Sequence, residues 1–250
     1  MKRIASLANL TPGLADYLAQ PSDEDKNWVR FRDHAGGAAY RELVEELVNL
    51  QHGICGYCEI DIQERDRQVE HVIPQSDPLR GAAHALDAGN MIACCKGGTL
   101  VTDDETRRLD PVKRNRSCGE AKEDLVDADF VDPRTLPDLP SLTRVSFDGR
   151  IQADAASCNS CGIPVGRIEK TIEILGLNTQ RLRRTRENHW DALSDNWGPE
   201  IDAPELMEAA AKGELLPDAD NRLHRFFTTS RSYFGVYAES ILSELPRDWI

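Results

Sequence analysis

Between residues 40 and 50 the apolar positions Leu43, Val44, Leu47 and Val48 fall on one face at a helical spacing. That run passes directly into Gln51-His52-Gly53, where the glycine can end a helix. From residue 54 to about residue 130 the helical period is lost. Short apolar pieces at 69–74 and 90–95, each long enough for one strand, alternate there with stretches rich in Gly, Asp and Pro. After Pro133 comes a turn-rich linker, and residues 143–153 then predict a hairpin. Asp148-Gly149 supplies its turn, and Val145 and Phe147 alternate as in a half-buried strand.

The helical period then returns. Pro164 suits a first turn, Ile168, Ile172 and Leu175 recur at i, i+4 and i+7, and Gly176 follows as a stop. Asn178 is placed to cap a further helix carrying Leu182, His189 and Leu193, and Phe234, Tyr237, Ile241 and Leu245 mark a last one. The pattern predicts an α+β chain in three parts: an N-terminal helical segment at 1–50, a small module at 51–130, and a hairpin plus helical region at 131–250.

Composition narrows the class. With 250 residues, 40% apolar and 29% charged, the chain has the make-up of a soluble globular protein. No apolar run approaches the roughly 18–20 residues that span a bilayer. The first residues lack a signal-peptide core, so a cytoplasmic protein without a membrane partner is expected. Seven cysteines, an odd number with two C-x-x-C pairs, argue for metal over a disulfide scaffold in such a compartment.

The module at 51–130 holds five of the seven. Cys55-Gly-Tyr-Cys58 is a knuckle in which two thiolates can grip one zinc from a tight turn. Cys95 and Cys118 can supply the second pair if the 22 residues between them loop out. Cys94 competes with Cys95, and spacing from Asn90 favours Cys95. A structural Zn²⁺ on Cys55, Cys58, Cys95 and Cys118 would stand in for the core that this segment lacks. Cys158 and Cys161 have no obvious second pair; incidental thiols in a loop are the first reading, with a half site shared with another chain or a redox-labile pair as the alternatives.

Thirteen residues beyond Cys58, Glu70-His71 opens an apolar piece, and Asn90 precedes the next; Cys118 then begins a helical stretch, residues 118–126. Strand, loop, strand and helix backed by a zinc knuckle resemble the HNH endonuclease, or ββα-metal, family. The stretches CGYCEIDI, VEHVIPQSD, LDAGNMIACC, CGEAK, FDGRI and ILGLNTQRLRRTR are similar to one branch of it. In that branch the HNH nucleases are encoded with retrons and with the Septu anti-phage system, and the nuclease accompanies an ABC-type ATPase.

Hydrolysis of a phosphodiester needs a base for the attacking water and positive charge near the phosphate. His71 is the natural base, because imidazole accepts a proton at neutral pH. A Mg²⁺ or Mn²⁺ ion favours hard oxygen donors, with Glu70 the first candidate. The resemblance implies that Asn90 holds and polarises His71. It also implies a His or Asn after the last zinc cysteine, where this chain has Gly119; Glu123, one helical turn on, is the expected substitute, with Glu120 a weaker competitor. Lys122 matches a lysine of the family and is assigned a phosphate or structural role.

A net charge of −13 is awkward for a DNA-binding protein. Contacts to nucleic acid are therefore expected from two local clusters: Arg107, Arg108, Lys113, Arg114 and Arg116, with Lys122 nearby, and Arg181, Arg183, Arg184 and Arg186. The reading that results is a metal-dependent HNH endonuclease cutting DNA, with RNA as an open alternative. It would act as effector subunit of an anti-phage, hetero-oligomeric complex with the ATPase. The competing reading is a catalytically decayed zinc module that docks protein or nucleic acid. A stand-alone restriction nuclease fits the acidic charge less well.

Overall fold

The computed structural model describes residues 1–21, 26–108, 113–198 and 203–246. Three helices open the chain. Helix α1 (Pro12–Ala19) begins with proline in its first turn, and the Thr11 hydroxyl accepts from the Leu14 amide. Helix α2 (Trp28–Asp33) is capped by Asn27 and buries Trp28 and Phe31. Helix α3 (Ala38–Leu50) buries Leu43, Val44, Leu47 and Val48, the face predicted from spacing. Its C-terminus closes where the Gly53 amide reaches the Val48 carbonyl at 2.9 Å, with Gly53 at φ +80°.

Two antiparallel strands, β1 (Gln68–His71) and β2 (Met91–Cys94), pair in the register Gln68↔Cys94, Glu70↔Ile92 and His71↔Met91. The connection carries a single turn, α4 (Gly81–His84). Met91 and Ala93 pack on α3, Tyr17, Trp28 and Phe31, whereas Ile92 and Cys94 face a second core. One face of the ribbon is thus held by the N-terminal helices and the other by the cysteine-rich segment.

Helix α5 (Gly119–Lys122) follows Cys118 and lasts one turn. The predicted helix through Val126 is absent, because Glu123 adopts φ +48° and turns the chain out of the helix. The predicted hairpin forms as β3 (Thr143–Val145) and β4 (Ile151–Ala153), with Val145 opposite Ile151. Its loop is longer than a two-residue turn: the Gly149 amide bonds Ser146 O at 2.9 Å, so Phe147 lies outside the strand and is 73% exposed.

Helices α6 (Ala155–Ser160), α7 (Val165–Ile174) and α8 (Gln180–Trp197) continue the chain, with Ile168, Ile172 and Leu175 buried as expected. Thr179, not Asn178, takes the N-cap position of α8; the Asn178 amide instead bonds the backbone of Ile151 on β4. Helices α9 (Pro204–Leu215), α10 (Phe227–Phe234) and α11 (Val236–Ser243) complete the fold. The single last helix of the sequence reading is divided at Gly235, whose φ of +52° breaks the run between Phe234 and Tyr237.

The architecture is α+β, with two small sheets among helices in the described residues. Among the described residues no helix is long and apolar enough to cross a membrane.

Candidate functional site

Five thiols meet beneath the β1–β2 ribbon. Cys55 and Cys58 arrive on the turn after α3, where the Cys55 amide bonds Ile60 O at 2.8 Å and the Gly56 amide bonds Ala93 O at 3.1 Å. Cys94 and Cys95 come from the end of β2 and Cys118 from the residue before α5. Sulfur–sulfur distances are 3.8 Å for Cys55–Cys94, 3.9 Å for Cys55–Cys118, and 3.7 Å for both Cys95–Cys118 and Cys58–Cys95. Zinc–sulfur bonds of about 2.3 Å place tetrahedral ligands about 3.8 Å apart, so the spacing suits zinc. All five cysteines are buried.

Cys55, Cys94, Cys95 and Cys118 have all four sulfurs within 4.8 Å of one another. The sequence expectation had Cys58 in the place of Cys94. Cys58 and Cys94 each adjoin the same three thiols, Cys55, Cys95 and Cys118. Three ligand positions are therefore common to both sets, and two thiols compete for the fourth. Burial drives the Cys58, Cys94 and Cys118 thiols up, whereas hydrogen bonds from its neighbours outweigh burial and hold Cys55 well below the ordinary thiol value.

Cys158 and Cys161 lie elsewhere. The Cys158 thiol reaches Leu142 O at 3.6 Å from α6, and Cys161 caps that helix and packs on the core.

On the ribbon above the thiols, the His71 ring is fixed at both nitrogens. Its Nε2 lies 3.0 Å from the Ala85 carbonyl oxygen, which can only accept. Nε2 therefore carries the hydrogen and Nδ1 the lone pair, which faces the Gln75 side-chain amide at 3.3 Å. Trp28 meets the ring edge-on, with centroids 4.5 Å apart. Burial lowers the His71 pKa, outweighing the bond to Ala85, so the imidazole is neutral at neutral pH.

Asn90 is 1% exposed and does not hold the ring itself. Its Oδ1 accepts from the Ile73 amide at 2.8 Å, and its Nδ2 donates to Ile73 O at 3.0 Å and His84 O at 3.2 Å. Since Ala85 follows His84, Asn90 ties together the two backbone segments that set the His71 ring. Sequence reasoning had no route to Ala85, Gln75 or Trp28: a carbonyl has no residue signature, and Trp28 comes from a helix remote in sequence.

The other expected groups are distributed differently. Glu70 Oε1 is 2.9 Å from Lys122 Nζ and 3.3 Å from the Tyr57 hydroxyl. Lys122 Nζ also donates to His71 O at 3.1 Å, and its side chain is 2% exposed, so it cannot reach a phosphate. Burial raises the Glu70 carboxyl despite this ion pair. A side chain at Gly119 would run into the Glu70 carboxylate, so the glycine is what lets Glu70 lie against α5. Glu120 accepts from Gln68 at 3.3 Å, and Glu123 is 3.6 Å from Arg116. Among the described residues the cysteine cluster alone gathers three or more potential metal donors.

Of the basic residues, Arg107 corrects its expectation. It is 2% exposed and bonds Asp66 at 2.7 Å, Asp61 at 2.8 Å and Asp104 at 2.9 Å. These contacts fasten the insertion at 96–117 to the segment after the knuckle, and burial keeps the guanidinium from nucleic acid. Arg186 is buried as well, donating to Leu177 O. Arg183 pairs with Asp148 at 2.5 Å. Arg181 donates to Thr106 O and to Ser117 Oγ, and its Nε is buried without a partner. Arg108, Arg114 and Arg184 are exposed, and Arg116 is half-buried. The Lys113 side chain lies outside the described residues.

A buried multi-thiol centre under a two-stranded ribbon that orients one imidazole defines a metal-binding α+β protein. No family model matches the chain. It is 32% identical over 208 residues to an Escherichia coli protein named as the HNH endonuclease of retron Ec83, a match covering 74% of this chain and 78% of the relative. The chain belongs to this family of retron-associated HNH endonucleases.

Proposed function

We propose that this chain hydrolyses phosphodiester bonds in DNA, with β1, β2 and α5 as its ββα core and residues 51–130 as its nuclease module. The observation that carries the reading is the bond from His71 Nε2 to Ala85 O. It fixes the basic nitrogen as Nδ1, on a ring that burial keeps neutral. In the proposed step, Nδ1 takes a proton from a water that displaces the Gln75 amide; the resulting hydroxide attacks phosphorus as the bond from phosphorus to the departing sugar oxygen breaks, and that oxygen takes a proton from solvent water. Asn90 acts as a positioning residue through the 73–85 loop.

Zinc fits the thiol cluster, on Cys55, Cys95, Cys118 and one further thiol. Cys58 is taken for that place on the C-x-x-C spacing of a knuckle, with Cys94, whose sulfur lies within 4.8 Å of the other three, as its competitor. The bound ion supplies a fixed crosslink between the knuckle, β2 and α5. The donors near His71 do not fit an oxygen cage for Mg²⁺ or Mn²⁺. Lys122 neutralises Glu70, Glu123 is directed to Arg116, and among the described residues only the thiols gather three or more donors. No step is assigned to such an ion.

The net charge of −13 supports a subunit that leaves much of its nucleic-acid binding to a partner, an ABC-type ATPase in an anti-phage complex. The Lys122–Glu70 pair favours a second reading, a zinc-bearing docking module that has lost catalysis. Plasmid cleavage with Mg²⁺ or Mn²⁺, alone and with the ATPase encoded beside this chain, separates the two. Cleavage by wild type and none by His71→Ala is expected; equal cleavage by both would remove His71 as the base.

A further inference from the structure

A cavity of about 660 Å³ opens between the insertion, helix α8 and the segment before α10. Its wall carries four arginines, Arg108, Arg181, Arg184 and Arg225, from three separate stretches of chain. Two acids share it. Asp104 is already bound by Arg107 at 2.9 Å, and Glu105, 73% exposed, is 3.9 Å from Arg184. The balance is positive in a protein whose net charge is −13.

The rest of the lining is amide and hydroxyl. Gln180 and Asn188 are exposed on α8, and the Thr106 and Thr185 hydroxyls bond each other at 3.2 Å. Arg181 is braced by Thr106 O and Ser117 Oγ, while its buried Nε has no partner. A planar guanidinium held from behind is pre-organised for a phosphate oxygen. Side-chain amides pair with base edges, and adenine in particular offers them a donor beside an acceptor. Binding sites for small ligands occupy roughly 300–1,000 Å³.

We propose that this cavity binds one phosphate-bearing nucleotide unit, with the arginines on the phosphate and Gln180 and Asn188 on the base. The unit comes from a free mononucleotide or from a nucleic-acid strand led past the ribbon. The strand form rests on the nuclease reading; the free form does not, and His71 has no part in either. An acidic peptide of a partner protein would find the arginines but would leave the amides without base edges.

The test is calorimetric titration of the full chain with AMP, inorganic phosphate, a twelve-residue single-stranded oligonucleotide and polyglutamate. Wild type, Arg184→Ala, Arg225→Ala and the remote control Arg144→Ala are compared, with thermal melting to confirm folding. Binding of AMP or the oligonucleotide that weakens about tenfold with each pocket substitution, and is unmoved by Arg144→Ala, is the expected result. AMP binding assigns the free source, and oligonucleotide binding without AMP assigns the strand. Phosphate binding as tight as AMP, polyglutamate binding alone, or nucleotide binding indifferent to Arg184 and Arg225 each overturns the proposal. Repeating the titration with His71→Ala separates it from the catalytic reading, since binding should persist when cleavage is lost.

Discussion

Lys122 Nζ sits 2.9 Å from Glu70 Oε1 and 3.1 Å from His71 O, joining helix α5 to strand β1 at the residue beside the imidazole. Both side chains are largely out of water, so neither charge is stable alone. Lys122→Met should cost about 3–5 kcal/mol in urea unfolding, and Glu70→Gln with Lys122→Met should recover most of it. If the double variant is as unstable as the single one, the pair does not act as a unit. A Mg²⁺ or Mn²⁺ activation curve for the double variant also reports on Glu70. An unchanged curve means that Glu70 braces the strand, and a curve displaced to higher metal means that it binds the ion.

Zinc content should be about one equivalent per chain in wild type and near zero in Cys55→Ala and Cys118→Ala, each of which removes a ligand common to both possible sets. Cys58→Ser and Cys94→Ala divide the remaining choice. Loss of zinc is expected from Cys58→Ser and retention from Cys94→Ala, read by elemental analysis beside the melting temperature. The reverse pattern would assign the fourth place to Cys94.

Cleavage should rise with pH with its midpoint below the ordinary histidine value of 6.5, because burial lowers the His71 pKa and the neutral ring is the active form. The same shift acts on stability. Between 6.5 and the lower folded value the unfolded chain binds more protons, so stability contributed by His71 falls as pH drops through that window. Removing the base by His71→Ala should lower the rate by about 10²–10⁴-fold. A pH profile with its midpoint above 6.5 would contradict the buried neutral ring.

Arg107→Ala should act on stability. It strands Asp66, 1% exposed, without its main counter-charge, and a loss of about 3–5 kcal/mol is expected in denaturant unfolding. Affinity for an oligonucleotide, measured on the fraction still folded, should be little changed.

Several parts of this molecule are legible in its sequence alone. The α3 face needed one period, and the two short strands needed two apolar runs around His71 and Asn90. The thiols were legible because cysteine type and spacing carry chemistry by themselves. Glu123 was misread because the i+4 argument assumes a continuing helix, whereas the backbone reverses there with φ +48°. Arg107 was misread because a sequence shows charge and not burial: its three carboxylate partners lie 3, 41 and 46 positions away. The break at Gly235 was passed over because the apolar period on either side of it stays in phase.

Trp28 packs edge-on against the His71 ring, with centroids 4.5 Å apart, and is itself 8% exposed. A protonated imidazole quenches a neighbouring indole more strongly than a neutral one. The protein therefore carries its own optical reporter: acid titration should dim the emission of Trp28, and the midpoint of that change reads the proton occupancy of the ring without any substrate present.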